Sequence, residues 1–158
     1  MQTSKSSKAE IVHKEFGRIW PVHLAAFTQL LIRLRRHFGG DLDLLLVLAV
    51  IGERTRPDEW TPELMTYQQL TRSKPERHRQ IPINIQSVSD YSGIPRETVR
   101  RKVKALEKLG WVERDASGLI GVTPKAGKDL EAATDDSVAY LAALLEVFGS
   151  IPSLPNGR

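Results

Sequence analysis

The sequence predicts a mainly α-helical fold with one small β-hairpin, in which two short helices and the hairpin form a centre flanked by helices on both sides. Three observations predict it. Apolar residues recur at helical spacing through most of the chain. Ser92, Gly93 and Ile94 interrupt that spacing between two short helical patterns, and Gly93 supplies the left-handed backbone that a tight turn between crossing helices requires. Past Gly110, two short runs, Trp111 to Arg114 and Leu119 to Thr123, flank a four-residue turn ending in Gly118, as hairpin strands do. At 158 residues, 41% hydrophobic and 27% charged, the chain has enough material for one domain with a real core.

Taken in order, residues 1–9 are rich in Ser and Lys and read as a disordered tail. Residues 10–52 read as N-terminal helices for core and dimerisation. Phe16, Ile19, Trp20, Leu24, Phe27, Leu30, Leu31, Leu34 and Phe38 mark one long amphipathic helix, or two pieces meeting at Pro21, where a proline removes a hydrogen bond. Gly39 and Gly40 stop it and Asp41 caps the next helix, LDLLLVLAVI, which is apolar nearly all round and has to be covered on several sides. Residues 53–80 read as an insertion or linker, with a short helix from Thr61 to Leu70 and a mobile stretch from Lys74 to Arg79. Ile81 to Ile83 is a candidate strand beside the hairpin. After it, Thr123 and Pro124 open a helix through Ala133, and a second one from about Asp136 carries Val138, Leu141, Leu144, Leu145 and Phe148 to Gly149. Capping is the reading for Asp135 and Asp136, and residues 150–158 read as a frayed tail.

Within residues 81–123, Asn84 caps a short helix whose apolar side is Ile85, Val88 and Tyr91. The next helix starts at Pro95 or Arg96, since the missing N–H of a first-turn proline has no intrahelical partner to lose. On a helical wheel Val99, Val103, Leu106 and Leu109 form the buried arc, and Glu97, Arg100, Arg101, Lys104 and Lys108 face the other way with Arg96 at the leading end. Residues 96–104 carry Arg96, Arg100, Arg101, Lys102 and Lys104 against Glu97, a local excess equal to the net +4 of the whole chain. The basic charge is therefore concentrated on one helix while the rest balances to neutral.

Several classes of chemistry find no support. There is no cysteine, which removes disulfides and thiolate metal sites and fits a reducing, cytoplasmic compartment. His13, His23, His37 and His78 are scattered without metal-ligand spacing, no glycine pattern cradles a phosphate and no serine stands in a nucleophile elbow. Neither an enzyme, a cofactor nor a metal is expected. No secretory signal is visible, and the longest apolar run, Leu42 to Ile51, is about half of the roughly 20 residues that span a bilayer.

The segment SGIPRETVRRKVKALEKLGWVERD resembles the DNA-binding segment of bacterial winged helix-turn-helix regulators. RETV, then Arg101, then ALEKLGWV is similar to the recognition helix of the cyclic-AMP receptor protein family. The helices on both sides and VTPKAGKDLE after the hairpin resemble the overall plan of MarR-type regulators, which are dimers, although the hairpin tip here is Ala116, Ser117 and Gly118 without their Asp and Arg. The resemblance implies a sequence-specific, double-stranded-DNA-binding homodimer that regulates transcription, its recognition helix in the major groove. Arg96, Glu97, Arg100 and Arg101 are expected at base edges, and Ser87, Thr98, Lys104, Lys108 and Arg114 at phosphates. Two alternatives share the fold: a protein-interaction module, which expects mixed charge on the helix, and an RNA- or replication-origin-binding protein, which expects exposed aromatics on a sheet. Trp20, Phe27 and Phe38 have two readings, plain core and the wall of a small-molecule effector pocket of the MarR type; aromatic stripes are more often core.

Overall fold

The structure, a computed structural model, describes residues 7–57, 78–80 and 83–152. The expected helix from Thr61 to Leu70, the stretch 74–77, Ile81 with Pro82, and most of both tails lie outside the described residues. Among the described residues the fold is mainly helical with two small antiparallel two-stranded sheets, and the chain divides into two compact units, Arg35–Ala132 and Met1–Leu34 with Ala133–Arg158. Among the described residues no helix is long and apolar enough to cross a membrane.

The N-terminal elements are α1 (Lys8–Lys14), α2 (Phe16–His37) and α3 (Leu42–Arg54). Strands β1 (Thr55–Pro57) and β2 (His78–Gln80) pair in register Thr55↔Gln80. Then come α4 (Ile85–Ser92), α5 (Arg96–Leu109), the hairpin β3 (Val112–Arg114) and β4 (Ile120–Val122), α6 (Pro124–Asp129) and α7 (Glu131–Gly149).

In the Arg35–Ala132 unit, α3, α4, α5 and the hairpin share one core. Val47, Ile51, Val88, Val99, Val103, Leu106 and Ile120 are all essentially inaccessible to solvent. Burying a Val, Leu or Ile side chain contributes roughly 1.5–3 kcal/mol. The three from α5 therefore fix the rotation of that helix firmly enough to decide which residues it shows to solvent.

Local chemistry sets where these helices begin and end. Asp41 caps α3 by accepting from the Leu44 N–H at 2.9 Å, and Asn84 caps α4 by accepting from the Ser87 N–H at 2.9 Å. Gly93 ends α4 at φ 73°. The helix that follows starts at Arg96, with Pro95 as a cap that makes no side-chain bond. Gly110, at φ 76°, closes α5 with a Schellman pair, its own N–H to the Glu107 carbonyl at 2.9 Å and the Trp111 N–H to the Leu106 carbonyl at 3.0 Å.

The hairpin pairs Val112 with Val122 and Arg114 with Ile120. Asp115 braces its turn by accepting from the Ser117 and Leu119 N–H groups, and Gly118 takes φ 82°. The Ile120 N–H donates to the Ile83 carbonyl at 2.9 Å, so the end of the expected 81–83 strand does lie beside the hairpin.

Trp111 stacks edge-on against Phe38 and donates its indole N–H to Asp129 at 2.9 Å. Lys102 of α5 donates to Asp41 at 2.5 Å, tying the inner flank of α5 to the cap of α3. Burial pushes the Asp41 carboxyl up, but hydrogen bonds from Lys102 and the Leu44 N–H, together with the Lys102 charge, outweigh that and leave it below the ordinary aspartate value of 3.8. A depressed folded pKa stabilises the fold above the unfolded value and is lost as pH falls through the folded one. Asp41→Asn is expected to lower the urea midpoint at neutral pH, and to do so less and less as the pH falls below the ordinary aspartate value and the carboxylate becomes protonated. Parallel wild-type and variant profiles over that range would remove Asp41 from the acid limb.

In the Met1–Leu34 and Ala133–Arg158 unit, Ile19, Val147 and Ile151 form a small core with Ile11, Val22 and Phe148 packed on it. Arg33 donates to Asp136 at 2.9 Å, and a ring nitrogen of His23 is 2.8 Å from the Tyr140 hydroxyl. His23 lies between Trp20 and Phe27, with ring centroids 5.1 and 5.3 Å away.

Several expectations are corrected. Of the two readings of α2, one long helix holds and two pieces meeting at Pro21 does not: the proline lies inside the helix, where its missing N–H forgoes a single bond towards Gly17. Lys8 and Ala9 belong to α1, opened by a Ser7–Glu10 capping box. His78 and Arg79 lie in the strand β2. The break between the last two helices falls at Leu130, whose N–H still bonds the Ala126 carbonyl, so Asp135 and Asp136 are inside α7 and cap nothing. Leu42 and Leu46 are each 42% exposed, so the described residues cover the apolar surface of α3 only in part, in keeping with the need for cover on several sides. Leu109 is 43% exposed because Gly110 turns the chain into the core one residue later and Trp111 takes the place expected for it. Tyr91, at the end of α4, is exposed and lies under the Arg54 guanidinium, leaving Val88 as the buried residue of that helix. Of the aromatic stripe, only Phe38 is core; Trp20 and Phe27 are 45% and 37% exposed.

Candidate nucleic-acid interface

With Val99, Val103 and Leu106 turned inward, α5 has to expose Arg96, Glu97, Arg100, Arg101, Lys104 and Lys108, and all six are exposed. The structure thus brings together on one helix the four residues expected at base edges and three of those expected at phosphates, Thr98, Lys104 and Lys108. Thr98, half-buried on the third residue of α5, accepts from Arg101 at 3.4 Å. Ser87, half-buried in the first turn of α4, donates its hydroxyl to Asn84 at 3.2 Å. Arg114 is on β3, where its guanidinium forks the Glu107 carboxylate at 2.7 and 3.1 Å.

The pairings sort the positive charges into two groups. Lys102, counted in the basic run of the sequence, is committed to Asp41, and Arg114 to Glu107. The Glu107 hydrogen bond raises the Arg114 pKa further above its already high value. Arg100 forks Glu97 at 3.0 and 2.7 Å; this hydrogen bond raises the Arg100 pKa and holds the Glu97 carboxyl below its ordinary value. By contrast Arg96, Arg101, Lys104 and Lys108 are exposed and form no salt bridge among the described residues, and only the nearby Glu97 charge acts on Arg101 and Lys104. The hairpin tip, Ala116 to Gly118, adds no charged side chain.

Sequence reading missed the two pairings that subtract from the positive surface. Lys102 and Asp41 are 61 residues apart, and Glu107 and Arg114 meet only because the Gly110 turn folds β3 back along α5. Neither leaves a local pattern.

Among the described residues no group of three His, Asp or Glu side chains is placed to hold a metal ion. A shallow groove of about 170 Å³, lined by Leu30, Arg33, Asp136 and Tyr140 among others, lies between α2 and α7. That is smaller than the roughly 300–1,000 Å³ of typical small-molecule sites. Comparison with protein-family models, with curated proteins and with solved structures finds no match to this chain.

Proposed function

We propose that the chain is a sequence-specific, double-stranded-DNA-binding regulator of transcription that acts as a homodimer. Residues 81–123 serve as a winged helix-turn-helix of the bacterial type, MarR-like in plan, and α5 enters the major groove. One observation carries the reading: Arg96, Arg101, Lys104 and Lys108 are exposed on one helix that a buried core holds in place, and none of them forms a salt bridge with a carboxylate among the described residues. Such a helix offers both what phosphates attract and what guanine edges accept. The dimer is supported by exposed large apolar side chains on α2 and α7, which a lone chain leaves in water.

Arg101 and Arg96 are assigned to base edges and Lys104 to a phosphate. Arg101→Ala and Arg96→Ala are each expected to cost about 1–3 kcal/mol on a site selected from random duplex DNA, and to relax base preference at one position. Lys104→Ala is expected to weaken selected and random duplexes alike and to make the salt dependence shallower by about one phosphate. Fluorescence-anisotropy titrations at several salt concentrations separate the two. Equal losses on selected and random DNA for all three variants would remove these role assignments, and failure of random DNA to yield any enriched site would remove the function.

A further inference from the structure

Val99, Val103 and Leu106, the buried stripe of α5, are apolar, and among the described residues no polar or charged side chain is buried. Apolar burial is non-directional, so it decides which side of α5 meets the core but leaves the last degrees of roll about the helix axis soft. Base reading depends on those degrees. At about 5–6 Å from the axis a roll of about 10° moves a side-chain atom by about 1 Å, and a hydrogen bond stretched by that much is lost. Attraction to phosphates changes little over the same distance, since it falls only as the inverse of the separation.

Two ion pairs stand on either side of the buried stripe. With Val99 at zero on the helical wheel, Val103 and Leu106 lie within about 40° of it, Lys102 at about −60° and Glu107 at about +80°. Lys102 donates to Asp41 at 2.5 Å, and Asp41 is itself fastened to the first turn of α3 by the Leu44 N–H at 2.9 Å. Glu107 accepts the fork of Arg114 on β3 at 2.7 and 3.1 Å. Each pair therefore joins α5 to a different element, α3 on one flank and the hairpin on the other, so that a roll in either direction strains one of them. These four side chains are between 23% and 34% exposed, against 48% and 64% for the local Arg100–Glu97 pair on the outer side. Lys102 and Arg114 are cations of the segment assigned to DNA, yet each is turned to a carboxylate of the chain itself.

We propose that Lys102 and Arg114 are positioning residues and not phosphate ligands: acting through Asp41 and Glu107, they set the roll of α5 and with it the reach of Arg96 and Arg101 to base edges. This inference rests on the DNA-binding reading above. It predicts that loss of either pair costs selectivity between duplexes and leaves attraction to duplex DNA as it was.

The test removes each pair whole, with the net charge of the chain unchanged: Lys102→Met with Asp41→Asn, and Glu107→Gln with Arg114→Gln. Asparagine caps a helix as well as aspartate does, so the start of α3 is kept. Removing both partners also avoids stranding a half-buried charge, which is the costly way to break such a pair. Each variant is titrated with the selected duplex and with random duplex over a salt series. The preference for the selected duplex is expected to fall about tenfold for each variant, the discrimination that one good base contact supplies, with random-duplex affinity and the salt slope unaltered. Lys102→Arg, which still offers Asp41 a donor, and the reversed pair Glu107→Arg with Arg114→Glu are expected to keep the preference.

Far-UV circular dichroism and urea midpoints establish that each variant is folded under the titration conditions, and the two pairs are tested separately, so a variant that unfolds leaves the other to decide. A lowered midpoint with the preference intact would make the pairs purely stabilising and overturn the proposal. Weaker random-duplex binding with a salt slope shallower by about one unit would make Lys102 or Arg114 a phosphate ligand and overturn it as well. Both of those results leave the DNA-binding reading standing, whereas a wild type that prefers no duplex over random DNA would overturn the two together.

Discussion

Leu106→Ala is expected to produce the largest loss of stability of any single change in α5, about 2–5 kcal/mol, against the roughly 5–15 kcal/mol that holds a whole domain folded. Leu106 is fully buried, lies at the meeting point of α3, α4, α5 and the hairpin, and its carbonyl also accepts the Trp111 N–H of the Schellman turn. Removing its side chain takes away buried apolar surface and leaves a cavity that its buried neighbours in the core, Val99 and Val103 on α5 and Ile120 on β4, close only in part. Leu109→Ala, three residues on in the same helix, is expected to cost far less because that side chain is already 43% exposed. Urea unfolding followed by circular dichroism compares them directly. Equal midpoints for the two variants would mean that α5 is not seated as described, and the assignment of its outer face would fall with it.

That contrast marks where the sequence is legible. The ends of α3, α4, α5 and α6 follow from Asp41, Asn84, Gly93, Gly110 and Thr123 because capping is chemistry within a few residues of the chain. The inward residues of α5 follow from their spacing. A helical wheel cannot say where the surface it packs on ends, which is why Leu109 and Tyr91 look like core and are not. Pairings made by folding, Lys102 with Asp41, Glu107 with Arg114 and β1 with β2, join residues that nothing local connects. Of these, the two ion pairs bear most on the candidate site, because they commit Lys102 of the basic run and Arg114 of the hairpin to carboxylates. The Ser7–Glu10 capping box is the reverse case, a local helix start hidden by the polar composition around it.

Trp20→Glu combined with Leu145→Glu is expected to turn the proposed dimer into a monomer and to lower affinity for the selected site by about a thousandfold, the gap that commonly separates specific from non-specific DNA binding. Phe16, Trp20, Leu24, Phe27 and Leu31 recur along α2 at helical spacing, and Val138, Leu141 and Leu145 along α7, yet all eight are more than a third exposed and Leu145 is 73% exposed. Because these two positions are open in the chain itself, a charge there leaves the small core of Ile19, Val147 and Ile151 intact and acts on whatever covers the surface. One recognition helix reads too few base pairs to select a site, whereas a two-fold pair presents α5 to successive major grooves. The selected site is therefore expected to be an inverted repeat with half-site centres about 34–36 Å, or roughly 10 base pairs, apart or a multiple of that, each half carrying a G·C pair for Arg101. The wild-type salt dependence should be steep, with a slope of about −0.9 per neutralised phosphate, and the double variant's about half as steep because one chain neutralises half as many. Light scattering gives the oligomeric state and footprinting the geometry. A wild type that is monomeric at tens of micromolar, or a single asymmetric footprint shorter than one helical turn, would mean that the apolar side chains of α2 and α7 serve another purpose and that this protein does not read DNA as a symmetric pair.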